Sequence, residues 1–427
     1  MQPVLIAGGG PIGSVLAIAL SRAGIAVTLV DSGLAGSTGG ASGESATVNN
    51  GSRPIALSAS SARILDTLGV WSSIAPQVCP IQMVHVREQG HFGAVRLRAS
   101  EHGVPALGYV TDARVISSAL SCVVSGAEHV TRIAASRVER VQVQADDVQC
   151  SLGAASASGH CARGESSSEP STDGAGVRSA QLLVVADGGQ SSLCATLGID
   201  VDRRDYEQMA VSCTVRPERD HQGIAYERFT PQGPLAMLPI KGGDCAVVWS
   251  LSCDCAEEIA ALGDAEFTQA LRKAFGRRLG RFVDVGARSV FALSLVRARH
   301  LTSSRAVLIG NAANQLHPVA GQGLNLGLRD AAVLVDLIAE AVRAGQDPGA
   351  DALLKTYARQ RSGEQRSVVR FTDSLARGFS SGPPWFGWIR GAGLLVLDVL
   401  PGARHVLARH AMGLGGAHAR LLRGLDP

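Results

Sequence analysis

The chain has 427 residues, 46% hydrophobic and 18% charged, with a formal net charge of +3. That length supports two domains sharing a large core. The composition excludes a disordered protein, and a near-neutral charge with no lysine-rich block excludes nucleic acid as a partner.

Nine cysteines are scattered without CxxC spacing. No secretion signal precedes the first strand, and no run reaches the roughly 18 apolar residues of a membrane span. The expectation is a cytoplasmic protein with reduced thiols and no metal site.

Residues 4–7 form a short apolar strand that runs into Gly8-Gly9-Gly10-Pro11-Ile12-Gly13. A helix to about residue 23 and a second strand, 25–30, follow, closed by Asp31. This is G-x-G-x-x-G inside a strand–turn–helix–strand unit. Gly8, Gly10 and Gly13 permit a tight turn, let backbone reach a pyrophosphate and let the helix pack on the strand. Asp31, 18 residues after the third glycine, is placed to accept hydrogen bonds from a ribose.

Residues 33–52 read as a loop. Arg53 precedes a short extended run and a helix over 58–68; it is either a phosphate contact or a surface arginine. Residues 84–97 alternate as a hairpin with one wet face. A strand end and amphipathic helix span 109–124, and Arg114 opens that helix, as a second phosphate candidate or a solvated helix arginine. Residues 138–150 and 182–186 read as two strands. Between them, 153–179 is mostly Ser, Ala and Gly, a disordered hairpin insertion that can bury no core.

The strand at 182–186 ends in Ala186-Asp187-Gly188-Gly189-Gln190-Ser191, an aspartate and glycine where α/β sheets bind ligands. Four strand-like runs, 210–215, 225–230, 235–239 and 245–251, suggest an inserted antiparallel sheet. A helix over 265–275 and a strand over 289–294 lead to the stretch around which the chain is organised. There an apolar strand, 306–309, stops at Gly310-Asn311. A loop with Pro318, Gly321 and Gly323 follows, then a helix over about 325–344 whose bare first N–H groups attract negative charge. His317 is a proton-transfer candidate or a structural contact, and no catalytic residue is assigned. From about residue 378 the chain carries Pro383-Pro384, Trp385, Phe386 and Trp388. Six arginines oppose three aspartates over 371–427. This tail is an interfacial anchor or a helix packed on the body or on a second subunit.

GGGPIG with Asp31, ADGGQS, and GNAANQLHPVAGQGLNLGLRD together resemble the FAD-dependent aromatic hydroxylases. HPVAGQGLNLGLRD is very similar to the signature of the ubiquinone-biosynthesis hydroxylases (the UbiH, UbiI and UbiF group). RPIALSASSARILDTLGVW and ERFTPQGPLAMLPI resemble that group as well, so the likeness runs over nearly the whole chain. Asn311, where most of the superfamily carries aspartate, and GLLVLDVLP resemble the branch acting on 2-polyprenyl-6-methoxyphenol.

The resemblance implies an α/β (mixed α+β) fold. A Rossmann-like FAD-binding domain of the p-hydroxybenzoate hydroxylase type would carry an inserted, mostly antiparallel substrate domain and a C-terminal helical tail. The expected segments are 1–78, 104–200 and 289–375 for FAD, 79–103 and 201–288 for substrate, and 376–427 for the tail. Gly8, Gly10 and Gly13 would approach the FAD pyrophosphate and Asp31 its ribose, with Arg53 and Arg114 as further cofactor contacts. Gly310 and Asn311 would lie by the pyrophosphate or ribityl chain. Pro318, Gly321, Gln322, Gly323, Leu324 and Asn325 would line the isoalloxazine ring, and Asp187 and Gly188 would sit near flavin and nicotinamide. Cys194 stands where these enzymes usually carry arginine.

The implied activity is hydroxylation of a polyprenylated phenol in ubiquinone biosynthesis, consuming NAD(P)H and O2 through a flavin C4a-hydroperoxide. Partners would be that phenol, a biosynthetic protein complex, the inner-membrane surface and a second copy of the chain. Rival readings are a hydroxylase of a soluble aromatic acid or polyketide, a polyprenyl reductase, and a non-catalytic flavoprotein scaffold, which Cys194 favours.

Overall fold

Strands without a polar face need cover on both sides, and the apolar runs of all three motifs find it in one sheet. In the computed structural model, which describes residues 2–33, 53–155, 176–378, 398, 400–414 and 419–427, five strands run parallel. Their order is Val130–Ile133, Val27–Val30, Gln2–Ala7, Val177–Val185 and Ala306–Leu308. Leu5, Ile6, Leu183, Val184 and Val307 are fully buried there, each contributing about 1.5–3 kcal/mol. Helix Pro11–Arg22 packs against helices Ala113–Ser125 and Gln322–Arg343.

The second sheet has nine strands among the described residues. Its centre is antiparallel: Val201–Pro217, Cys245–Ser252, Gly233–Pro239 and Ile224–Thr230. The hairpin Met83–Glu88 and Ala94–Arg98 joins it through a parallel pairing of Met83–Glu88 with Ile224–Thr230. Side chains alternate between its faces. Tyr226, Met237, Val247 and Trp249 pack with Phe267, Leu271 and Phe275 of helix Asp264–Phe275. Ala225, Glu227, Phe229, Ala236 and Val248 face a cavity. A third, small sheet joins Pro54–Ser58, Gly108–Asp112 and Cys79–Ile81.

The structure departs from the sequence reading at several places. Residues 138–150 are not one strand but a hairpin of Ser136–Val143 and Val148–Ala154. The polar turn between them is closed by the Gln144 N–H donating to the Asp147 carbonyl at 2.8 Å. Strand Ser289–Ala298 belongs by pairing to the antiparallel sheet, from Ser212↔Ser289 to Val201↔Ala298. It therefore lies beyond the expected boundary at 288/289, because its partner strand runs 17 residues with a register shift near Glu207 (φ 54°). An unexpected helix, Cys253–Ala261, follows the last central strand. The helix after the third motif begins at Gln322 rather than 325, because Gly321 adopts a left-handed φ of 58° and stops the loop there. The strand expected over 25–30 is Val27–Val30.

Residues 156–175 of the expected insertion, and Trp385, Phe386 and Trp388, lie outside the described residues. Helix Pro401–Ala411 buries Ala408 beside Leu97 and Leu107. Among the described residues, no helix is long and apolar enough to cross a membrane.

Candidate active site

At the carboxyl end of Gln2–Ala7 the chain turns at Gly8 with φ 116°. A Cβ there would lie 2.4 Å from the Ala186 carbonyl oxygen, and one at Gly13 would lie 1.9 Å from the Gly8 carbonyl oxygen. Gly10 is different: nothing comes within 4 Å of its would-be Cβ. It caps helix Pro11–Arg22 with no side-chain hydrogen bond, so the first-turn N–H groups face open space suited to a pyrophosphate.

Asp31 tucks beneath this loop because Gly9 has no side chain; a Cβ would sit 2.3 Å from the Asp31 carboxyl carbon. Arg132 donates to Asp31 Oδ2 at 2.6 Å and the Gly33 N–H to Oδ1 at 3.1 Å. Both oxygens retain accepting capacity for a hydroxyl. Sequence reasoning found Asp31 and missed Arg132, which carries no motif signal. Arg114 is exposed and directs its guanidinium to Asp112, the cap of its own helix, at 2.9 and 3.0 Å. Arg53 is exposed at the cavity.

The first and third motifs meet at Ile12. A Cβ at Gly310 (φ 61°) would lie 3.1 Å from its Cγ1, and one at Gly327 would lie 2.8 Å from its Cδ1. The two loops share one packed contact for want of side chains. Asn325 holds the third motif to strand Pro54–Ser58. Its Oδ1 accepts from Ser58 N–H (2.8 Å) and the Ser61 hydroxyl (2.7 Å), and its Nδ2 donates to the carbonyls of Ala56 (2.9 Å) and Gly321 (2.7 Å). The side chain is fully committed, so toward a ligand Asn325 offers backbone only. Asn311, Pro318, Gly321, Gln322, Gly323 and Leu324 all line the cavity.

His317 is buried. Its Nδ1 accepts from the Val319 N–H at 3.2 Å, its Nε2 faces Gln208 Oε1 at 3.4 Å, and its ring meets Tyr206 edge-on. Those partners assign the proton to Nε2. Burial pushes its pKa down to about 4, so the ring is neutral and occupied on both sides.

Asp187 ends the Val177–Val185 strand region. Ser191 donates to its Oδ2 at 2.8 Å, while Oδ1 is buried without a hydrogen-bond partner. Burial lifts the carboxyl to about 6, against the pull of Ser191. Gly188 has φ 98°. A Cβ at Gly189 would lie 1.8 Å from Gln315 Oε1, so the second and third motifs also touch through a glycine. Cys194 is buried in the core of the parallel sheet, with burial raising its thiol pKa.

Between the third motif and the antiparallel sheet lies a cavity of about 590 Å³. Its sheet wall is apolar, with Val84, Val86, Leu97, Phe229, Leu238 and Val248, and Leu407 and His410 of helix Pro401–Ala411 also line it.

Residues 1–372 match the FAD binding domain family. The ubiquinone hydroxylase UbiL of Rhodospirillum rubrum is 33% identical over 99% of this chain and 92% of its own length. The chain belongs to the FAD-dependent aromatic monooxygenases, in the ubiquinone-biosynthesis group. Another relative, 3-demethoxyubiquinol 3-hydroxylase of Escherichia coli, is 28% identical over 96% of this chain and 98% of that protein. The fold is that of p-nitrophenol 4-monooxygenase PnpA from Pseudomonas putida DLL-E4, with a TM-score of 0.73 at 17% identity, covering 98% and 99% of the two chains.

FAD is the cofactor of this family, with NAD(P)H as its typical co-substrate. The residues present fit FAD. Gly10 leaves room before a bare helix start, Asp31 keeps lone pairs for a ribose, and Asp187 holds a buried oxygen with no partner.

Proposed function

We propose that this monooxygenase hydroxylates a polyprenylated phenol in ubiquinone biosynthesis, with 2-polyprenyl-6-methoxyphenol as substrate and NAD(P)H and O2 consumed. The cavity carries this reading: its apolar sheet wall faces the loop Pro318–Gln322 and suits a prenylated ring. The names of the UbiL and Escherichia coli relatives support the pathway. Bound FAD would relay reducing equivalents from NAD(P)H to oxygen and activate it. Gly8, Gly10, Gly13 and Asp31 hold the dinucleotide end. Pro318, Gly321, Gln322, Gly323 and Leu324 border its ring, and the N-terminus of Gln322–Arg343 favours negative charge there. The sheet orients the phenol and excludes water.

A polyprenyl tail does not dissolve in water, so we also propose a peripheral contact at the inner membrane and assembly with other proteins of the pathway. Helix Pro401–Ala411 supports this. Leu407 and His410 line the cavity, whereas Leu400 and Val406 are 51% and 68% exposed beside Arg404 and Arg409.

The test follows NADPH and oxygen consumption by the FAD-loaded chain with and without a short-chain 2-prenyl-6-methoxyphenol. Phenol-stimulated, oxygen-coupled turnover with a hydroxylated product is expected. Stimulation by soluble aromatic acids alone would overturn the substrate.

A further inference from the structure

The apolar wall of the cavity holds one group that burial alone does not explain. Glu227 lies in strand Ile224–Thr230 between Val86 on one neighbouring strand and Ala236 on the other, with Val248 beyond. Among the described residues lining the cavity, its carboxyl is the only one. Its Oε1 is sealed from solvent and accepts no hydrogen bond among the described residues. A carboxyl so placed costs folding energy unless something else pairs with it.

The other titratable groups lining the cavity are differently engaged. His317 is occupied at both nitrogens. His410 is held below its ordinary pKa by burial and by Arg329. Tyr226 packs its ring against Phe275, and Arg53 is exposed.

We propose that Glu227 binds the hydroxyl of the phenolic substrate and takes its proton; this inference rests on the phenol reading above. The phenol O–H bond breaks, the proton passes to the Glu227 carboxylate and the electron pair stays on the phenolic oxygen. The phenolate then enriches the ring carbons ortho and para to it, which an electrophilic hydroxylation needs. Burial lifts Glu227 to about 7, the range in which a carboxylate exchanges protons near neutral pH.

The experiment compares the FAD-loaded parent with Glu227→Gln and Glu227→Asp. Two probes are used: a short-chain 2-prenyl-6-methoxyphenol, and a fluorinated analogue already ionised at the assay pH. Besides kcat and KM, the ultraviolet difference spectrum of the bound phenol reports directly whether it is phenol or phenolate. Glu227→Gln should lower kcat for the un-ionised phenol by about 100-fold or more. It should also abolish the phenolate band, leave FAD content unchanged and recover most of the loss with the ionised analogue, while Glu227→Asp restores the band. Unchanged rates, or equal loss with both phenols, would overturn the assignment. A parent enzyme stimulated by no phenol would instead refute the phenol reading, and Glu227's role with it.

Discussion

A Cβ at Gly13 would strike the Gly8 carbonyl oxygen at 1.9 Å, whereas one at Gly10 would meet nothing within 4 Å. One glycine is needed by the fold; the other leaves open space before a helix start. Glu227 shows the same tension between site and stability. Its carboxyl titrates near 7 when folded against an ordinary 4.5, so the folded protein holds more protons than the unfolded one between those values. Stability present below pH 4.5 is therefore lost as pH rises through 7, on the order of 3 kcal/mol. His317 has the opposite sign: held at about 4 against 6.5, it favours folding above pH 6.5 and loses that contribution as pH falls toward 4. Relative to the parent, Glu227→Gln should gain about 2–3 kcal/mol between pH 4.5 and pH 8. Urea denaturation at the two pH values checks this, and an offset that does not change with pH would refute it.

At the scale of elements, helix Gln322–Arg343 follows the loop Pro318–Gly321 that lines the cavity. A buried ionic network ties it to helix Asp351–Gly378. Arg361 Nε meets Asp330 Oδ1 at 2.7 Å, Arg329 Nε meets Glu364 Oε1 at 2.5 Å, Arg361 also pairs with Glu364, and Gln365 donates to Asp330 at 3.0 Å. Removing one member strands a buried charge, so Arg361→Met should cost about 3–5 kcal/mol, and adding Asp330→Leu should return a large part of it. Denaturation midpoints of the single and double variants decide this; equal loss in both would mean that Asp330 is not the group left stranded. The buried stripe of helix Gln322–Arg343, with Leu328 and Val335, follows ordinary helical spacing. Such spacing could not show Arg361 as buried, since arginine in a helix ordinarily reads as solvated.

For the whole molecule, motifs more than 100 residues apart in the chain meet because parallel strands end together at one edge of their sheet, where α/β folds bind ligands. The second sheet closes the cavity over that edge. Ala236 stands on its wall beside Glu227. Overfilling a packed wall costs about 1–3 kcal/mol, so Ala236→Trp should cut phenol-stimulated turnover about tenfold or more while FAD content stays at the parental level. Loss of flavin together with turnover would mean that the two sheets do not act as separate walls.

The three glycine-containing motifs and the turns they make were legible from residue order alone. Gly8, Gly10, Gly13 and Asp31 work through backbone geometry and a short loop, which are local properties. The same holds for Asp187-Gly188 and for the glycines of the third motif. Family resemblance in those stretches carried the enzyme class. Local order could not show that Arg132 reaches Asp31 from 101 residues away, or that Asn325 spends its whole side chain on strand Pro54–Ser58. Nor could it separate Glu227 from Tyr226 and Arg228, its neighbours in the strand. Which face of a strand meets a cavity is set by the register of the sheet, and the lone carboxyl on an apolar wall exists only once Val86, Ala236 and Val248 have been brought around it.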